Sequence, residues 1–457
     1  MRQPLLALSC AVMAATPLVA APAGAVLPPP GSLDPTFGTG GATVDDLDAG
    51  GWGFDTVNDA VVQPDGRIVV TGTFGDDWDR SVLVGRYRSD GSLDPTFGEG
   101  GLVDTAVRSD DPSDWQDGDV ATAVALQADG KVVVVGSTRD VNDLGDPEGT
   151  LVARFLPDGR LDPAFDGDGI VVTEMFGGAN AVTVLPDGRI LVAGGANGNV
   201  FLARYLADGR LDATHGTGGI AVADTGAASG ATGLVVQPNG RVVVSATAYA
   251  RAGSPAESDV ALVRFLRTGA LDPSFGTGGV VTTDLGSPND MATSVGLGPD
   301  GRIVVAGWSG PAWNQRDFAV ARYRRNGTLD RSFGAGGVVR TTFAEVPGRA
   351  DDGAMDLLVQ RDGRILVTGS VGQTEDRWCG CAGEHSDIGL VRYRRDGSLD
   401  PTFGTGGRVV TDLGRVEVPV AVEASPGNRV VVAGIAPPPT SQANDNFVAR
   451  YLIGPGL

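Results

Sequence analysis

Apolar residues come in short runs along most of this chain, and clusters of Gly, Pro, Asn and Asp separate them. Runs this short, with such punctuation, predict β-strands rather than helices. The stretch 271–330 shows one period. After LDPSFGTGG comes an apolar strand A, Val280 to Thr283, then a loop to Ala292 and a strand B ending at Leu297. Pro299-Asp300-Gly301-Arg302 turns the chain into strand C, Ile303 to Ala306. Strand D, Phe318 to Tyr323, leads through Asn326-Gly327 to the next copy. Strand C is the most uniformly apolar element, as in Val132 to Val135 or Val242 to Val244, which predicts burial on both faces. Strand D alternates, as in Phe201-Leu202-Ala203-Arg204-Tyr205, and is expected to keep one side exposed.

The period repeats. LDPTFGTGG at Leu33 returns as LDPTFGEGG, LDPAFDGDG, LDATHGTGG, LDPSFGTGG, LDRSFGAGG and LDPTFGTGG at Leu93, Leu161, Leu211, Leu271, Leu329 and Leu399. By subtraction these leucines are 60, 68, 50, 60, 58 and 70 residues apart, a repeat signature. Asp-Gly or Asn-Gly recurs between B and C at Asp65, Asp129, Asp187, Asn239, Asp300 and Asp362, with Gly427-Asn428 in the last unit. Such dipeptides predict two-residue hairpins with both central residues at positive φ. Four antiparallel strands per unit and seven units predict an all-β chain folded as a seven-bladed β-propeller. A solenoid is the rival, but its coils are shorter than these units. The chain ends on a complete strand D, Phe447 to Tyr451, and the LDxxFG that follows D elsewhere stands at the N-terminal end. The two ends are therefore in phase for ring closure; whether strand A of the first unit completes the last blade is left open.

Together the LDxTFG-x-GG opening, the PDG-basic turn and the ARY-x-x-DG close resemble the delta-60 repeat of bacterial, often exported, proteins. The resemblance covers about Gly31 to Leu452 and implies a propeller-like all-β array. It brings no settled activity and no catalytic residues.

Composition narrows the partners. The 457 residues carry a formal charge of −21, with 70 glycines and 28 prolines but no strict third-residue glycine. That balance excludes a collagen-like chain and disfavours nucleic acid as a partner. Residues 1–25 read as a signal peptide: Arg2, an apolar centre from Leu5 to Ala15, and a small-residue cleavage site at Ala21-Pro22-Ala23 or Ala23-Gly24-Ala25. Residues 26–457 are then one propeller domain, secreted or on the cell surface, monomeric, with no later apolar run long enough to span a membrane. A retained anchor, or a lipoprotein through Cys10, is the lesser alternative. Only Cys379 and Cys381 remain after processing, too few for a disulfide framework.

Recurring residues read as frame. Arg86, Arg154, Arg204, Arg264, Arg322, Arg392 and Arg450 precede an aromatic in every strand D, and an Asp follows the leucine of every LDxxFG. An Arg–Asp pairing within or between units accounts for both. His215, in place of the usual Phe, reads as a tolerated replacement in a core plug.

Function is expected where the repeats differ, in the A-to-B and C-to-D loops that share one face. All six tryptophans, Trp52, Trp78, Trp115, Trp308, Trp313 and Trp378, fall in those loops, beside carboxylates that include Asp77 and Asp79. They occupy units 1, 2, 5 and 6, one arc of a closed ring. An aromatic platform fringed by acids suits an extracellular glycan or a basic protein partner; anchoring of long loops is the plainer alternative. No cofactor is implied, though crowded Asp residues could hold calcium. Cys379-Gly380-Cys381 with His385 suits a local disulfide or a metal. A binding scaffold is the leading reading. The rivals are a glycoside hydrolase or polysaccharide lyase using loop carboxylates, and a structural envelope protein without ligand.

Overall fold

The computed structural model describes residues 28–47, 55–75, 80–107, 118–139, 149–174, 177–225, 230–249, 257–312, 315–343, 351–372, 386–438 and 444–457. Among these residues it shows twenty-eight β-strands and no helix. Residues 1–25 and the Cys379–Cys381 segment with His385 lie outside them. In the period 271–330, strands A to D are observed at Val280–Thr283, Asn289–Leu297, Ile303–Gly310 and Asp317–Tyr323.

The grouping is shifted by one strand from the sequence pattern. Strand A pairs not within its own unit but with strand D of the unit before: Val280 lies opposite Val263 and Thr283 opposite Val260. The LDxxFG link causes this. The Asp272 amide donates to the Arg264 carbonyl and the Arg264 amide to the Gly279 carbonyl, so the chain folds straight back on the strand it has just left. Each sheet therefore reads B-C-D-A, as in Thr56–Val62, Ile68–Gly75, Arg80–Tyr87 and Leu102–Thr105. The sheet of Val418–Ser425, Arg429–Ile435 and Asn446–Leu452 has no later repeat to draw on, and Ala42–Asp45 from the N-terminal end is its fourth strand.

The architecture is a β-propeller. The B strands line the centre, each packed on the B strand of the next sheet, and Val418–Ser425 packs on Thr56–Val62. Twisted sheets cover one another's faces, so each apolar cluster draws on two neighbours. Val69, Val82, Val84 and Phe97 meet Val124, Val132, Leu151 and Phe155. Ala421, Val431 and Val448 likewise meet Val57, Ile68, Leu83 and Tyr87. A parallel bridge, Ser258 to Asn289, joins the start of one strand D to the start of the next strand B, and Arg80 to Gly118 and Ser386 to Val416 do the same at two other junctions.

Two local expectations change. Strand D keeps no exposed side: Val200 to Tyr205 is buried throughout. Strand A covers its edge, and the side chain of Arg204 is folded into a polar network rather than solvent. In the B-to-C turn only the glycine is at positive φ, as at Gly66 (86°) and Gly301 (77°). The Gly66 amide donates to the Gln63 carbonyl, so Pro64 and Asp65 form a turn that Gly66 exits. Proline holds φ negative, which suits the first corner of a type I turn and not the mirror-image turn. Gly427 and Asn428 are both at positive φ, and that turn carries the expected feature.

The repeated Arg and Asp form a lattice on the face of these turns. Arg86 Nε donates to Asp94 Oδ2 at 2.9 Å, its guanidinium lies 4.6 Å over the Phe97 ring, and its Nη1 donates to the Pro157 carbonyl of the next repeat. The same triple contact recurs at Arg154 with Asp162, Phe165 and the Ala207 carbonyl. Each aspartate also takes the basic residue after the B-to-C turn, as Asp94 takes Arg67 at 3.2 Å and Asp162 takes Lys131 at 3.1 Å. Two charges on one carboxylate, with hydroxyl and amide donors from position +2, satisfy a group that would be costly to bury alone. Gly38 belongs to the same seam: at φ 50° its amide donates to the Asp90 carbonyl, and a Cβ there would lie 2.2 Å from the Ala42 carbonyl oxygen. His215 takes the ring position with no exposure, as a plug should.

Candidate functional site

The opposite face carries the C-to-D loops and the A-to-B crossings, each of which takes the chain from the outer edge of one sheet to the innermost strand of the next. An acid recurs two residues before the small apolar residue that seats strand B: Asp55, Asp119, Asp290, Asp352 and Glu417. All five are buried. Four of these carboxylates hold the crossing by its backbone. Asp119 accepts from the Val107 amide at 2.6 Å, Asp352 from Phe343 at 2.7 Å, and Glu417 from Leu413 and Arg415 at 3.0 Å each. Asp290 accepts from the Leu285 amide and the Ser309 hydroxyl.

At two crossings further acids converge. Asp259 and Asp284 join Asp290, and Asp387 and Asp412 join Glu417; in each set one oxygen per residue lies within 4.8 Å of the others. Both sets grow from the same local sequence, Thr-Asp-Leu-Gly after strand A, at Thr283–Gly286 and Thr411–Gly414. Burial raises the Asp290 and Asp259 carboxyls, and Asp284 adds to both. Burial pushes Glu417 up to about 7, with Asp412 and Asp387 adding to the effect against its two amide donors. A groove of about 590 Å³ opens beside the first set, lined by Glu257, Ser258, Asp259, Asp284 and Ser287.

A third group of acids lies on the innermost strands. Burial raises Asp59 to about 7 against a Val124 amide bond, and Asp356 adds to the rise. Burial likewise raises Asp356 and Glu423, with Asp356 and Asp59 adding to Glu423. Asp59 bridges sheets: Oδ2 accepts from the Val124 amide at 2.8 Å and Oδ1 from its neighbour Ala60. Asp356 does the same with Val422 at 2.8 Å and the Ser294 hydroxyl at 2.7 Å.

Of the residues singled out by sequence, Trp52, Trp78, Trp115, Trp313, Trp378, Asp77 and Asp79 lie outside the described residues. Trp308 is not a loop residue. It sits in strand C, Ile303–Gly310, at 3% exposure with Arg316 stacked 5.1 Å over its ring, because that strand runs four residues beyond the apolar run Ile303 to Ala306. It packs; it does not present a surface. The signal that joins the crossing acids is positional, an acid at a fixed step before strand B in five of seven units, and it crosses the boundary between unit and sheet.

Six segments, 63–97, 127–165, 185–214, 237–275, 298–333 and 360–403, match the family model described as a domain of unknown function (DUF5122) beta-propeller. No curated protein matches. Among solved structures, a protein of unknown function from Dyadobacter fermentans is 15% identical, with 72% of this chain and 93% of that one covered and a TM-score of 0.41. A protein from Lactobacillus plantarum is 16% identical, covering 83% and 99% at a TM-score of 0.45. A polysaccharide lyase described as an ulvan lyase is 12% identical, covering 90% and 96% at 0.43. Repeat by repeat, then, from the B-to-C turn through the Asp of each link, this chain is a propeller-repeat protein similar to the DUF5122 beta-propeller family.

Proposed function

We propose that this chain is an exported or cell-surface binding scaffold of the delta-60 type, a seven-bladed propeller whose loop face engages an extracellular glycan or a basic protein partner. Seven blades are supported by the order of the sheets. The matched segments number six, and the seventh would join residues near 425–452 to Leu33–Phe37, which no continuous segment spans. The Gly404 amide donating to the Pro30 carbonyl, as Gly98 does to Asp158, supports closure.

The observation that carries the reading is the contrast between the two faces. On the link face the recurring aspartates are saturated by arginine, lysine, hydroxyl and amide donors. The loop face instead offers a groove lined by Glu257, Asp259 and Asp284 with serine hydroxyls at its edge. Acids and hydroxyls in a shallow groove suit sugar hydroxyls or a basic peptide. The loop tryptophans Trp52, Trp78, Trp115, Trp313 and Trp378 would add stacking surfaces, with Asp77 and Asp79 beside them.

A glycan array, run with and without calcium, tests this. Binding of a polysaccharide or of a basic peptide that falls at least about tenfold in Trp78→Ala and Trp313→Ala supports the scaffold. No binding across the array and no partner in pull-downs supports a structural envelope protein instead. The enzymatic alternative draws on Asp59, whose carboxyl is held near 7 as a general acid requires. Both Asp59 oxygens accept backbone amides, however, which suits bracing of the inner strands. Release of reducing ends or unsaturated products from polymers would favour the enzyme.

A further inference from the structure

The geometry points to a calcium site at Asp387, Asp412 and Glu417, where the chain crosses from Arg408–Thr411 to Val418–Ser425. Three observations converge there. One carboxylate oxygen from each residue lies within 4.8 Å of the other two. Oxygens bound to one calcium at 2.3–2.6 Å are separated by up to about 5 Å, so a single ion can reach all three. Glu417 has no exposure, its Oε1 is taken by the Leu413 and Arg415 amides, and its Oε2 is sealed from water with no hydrogen-bond partner. A buried carboxylate oxygen left unpaired beside two more carboxylates is costly, and a cation is the group that satisfies it.

Arg415, two residues before Glu417, does not do so. Arg415 turns its guanidinium to Asp445 at 2.5 Å and gives Glu417 only its backbone amide. An all-oxygen, carboxylate-rich set with one exposed member, Asp412, suits a hard ion with flexible geometry, calcium before zinc and before magnesium, which demands a near-ideal octahedron. The related set at Asp290 is not equivalent: there the Leu285 amide and the Ser309 hydroxyl already occupy the two oxygens of the buried acid. Bound calcium would tie strand D of one sheet to the crossing that leads into the next, because Asp387 begins the strand Asp387–Tyr393 and the Glu417 amide donates to the Ser386 carbonyl.

The test is calorimetric titration of the intact mature chain, stripped with a chelator, using calcium chloride and then magnesium chloride, together with thermal melts. We expect one site, a dissociation constant at or below about 1 mM, and a melting temperature that rises with calcium. Asp412→Asn, an exposed substitution that should fold, is expected to weaken calcium by at least about tenfold, and Glu417→Gln to do the same. Asp284→Asn should leave binding unchanged. Absence of heat and of a melting shift at several millimolar calcium overturns the proposal. So does equal affinity for magnesium, or calcium binding that survives Asp412→Asn and is lost in Asp284→Asn.

Discussion

Arg450 and Asp34 are 416 residues apart in the chain, yet Arg450 Nε donates to Asp34 Oδ2 at 2.9 Å. The contact is the same one that Arg86 makes with Asp94 eight residues away. Arg450 also stacks 4.7 Å over Phe37 and reaches the Ser89 carbonyl, while Arg429 adds a second charge to Asp34 at 2.6 Å. The last sheet is thus joined to the first by the contact that joins every other pair.

Asp34→Asn removes the charge between two guanidinium groups while keeping the shape. Its expected cost is ~2–3 kcal/mol, at the low end for breaking a buried ion pair because Arg429 is partly exposed. Urea unfolding checks this through the midpoint. A change below about 0.5 kcal/mol would mean the junction does not carry stability.

Deleting residues 28–45 from the mature chain removes both Asp34 and the strand Ala42–Asp45, whose register runs from Ala42–Ala449 to Asp45–Asn446. Limited proteolysis should then cut within 418–452 first, since that sheet loses its outer strand. A peptide of residues 28–47 added in trans should restore protection. Unchanged proteolysis would show that the strand is dispensable.

Stability should peak in mildly acidic solution. Burial opposes it, but the Ser332 bonds and the Arg322 charge hold Asp330 down to about 2, and Thr402 with Arg392 does the same for Asp400. Carboxyls depressed in this way stabilise the fold fully above their unfolded value of about 4, and that contribution is lost as pH falls toward 2. Asp59 behaves oppositely. With its folded value near 7, the native state holds an extra proton between about 4 and 7, so stability declines as pH rises through that window. Calorimetric melts without divalent cations should therefore give a higher melting temperature at pH 5 than at pH 8 and a steep fall below about pH 3. Asp59→Asn should flatten the slope between 5 and 8.

His215→Phe should stabilise the chain. The imidazole is fully buried at a ring position where each of the six other links places a phenylalanine under an arginine, as Phe165 lies under Arg154. Its Nδ1 has only a 3.4 Å contact with the Arg267 carbonyl, and Nε2 lacks a well-formed hydrogen bond. Burial, with Arg204 adding, lowers its proton affinity, so the ring is buried neutral. Restoring phenylalanine is expected to gain about 1 kcal/mol, read as a higher denaturation midpoint. A loss of stability would mean that the site has been remodelled around histidine.

The periodicity alone was enough for the strands, their succession along the chain and a recurring Arg–Asp pairing, with the choice between a pair inside one unit and a pair across two left to the structure. Those features depend on contacts within one repeat or between adjacent ones, such as Arg154 with Asp162, and seven copies make such contacts readable. Three features needed tertiary structure. Strand A joins the preceding sheet because the LDxxFG link closes on the arginine it follows, a consequence of hydrogen bonds that no apolar pattern records. Trp308 is buried because strand C extends past its apolar run and Arg316 closes over the ring. Glu417 meets Asp387 and Asp412 only because a crossing brings the end of one sheet against the start of another. Acids from a strand D and from the crossing that leads into the next sheet, each unremarkable alone, converge because the fold lays those two segments side by side.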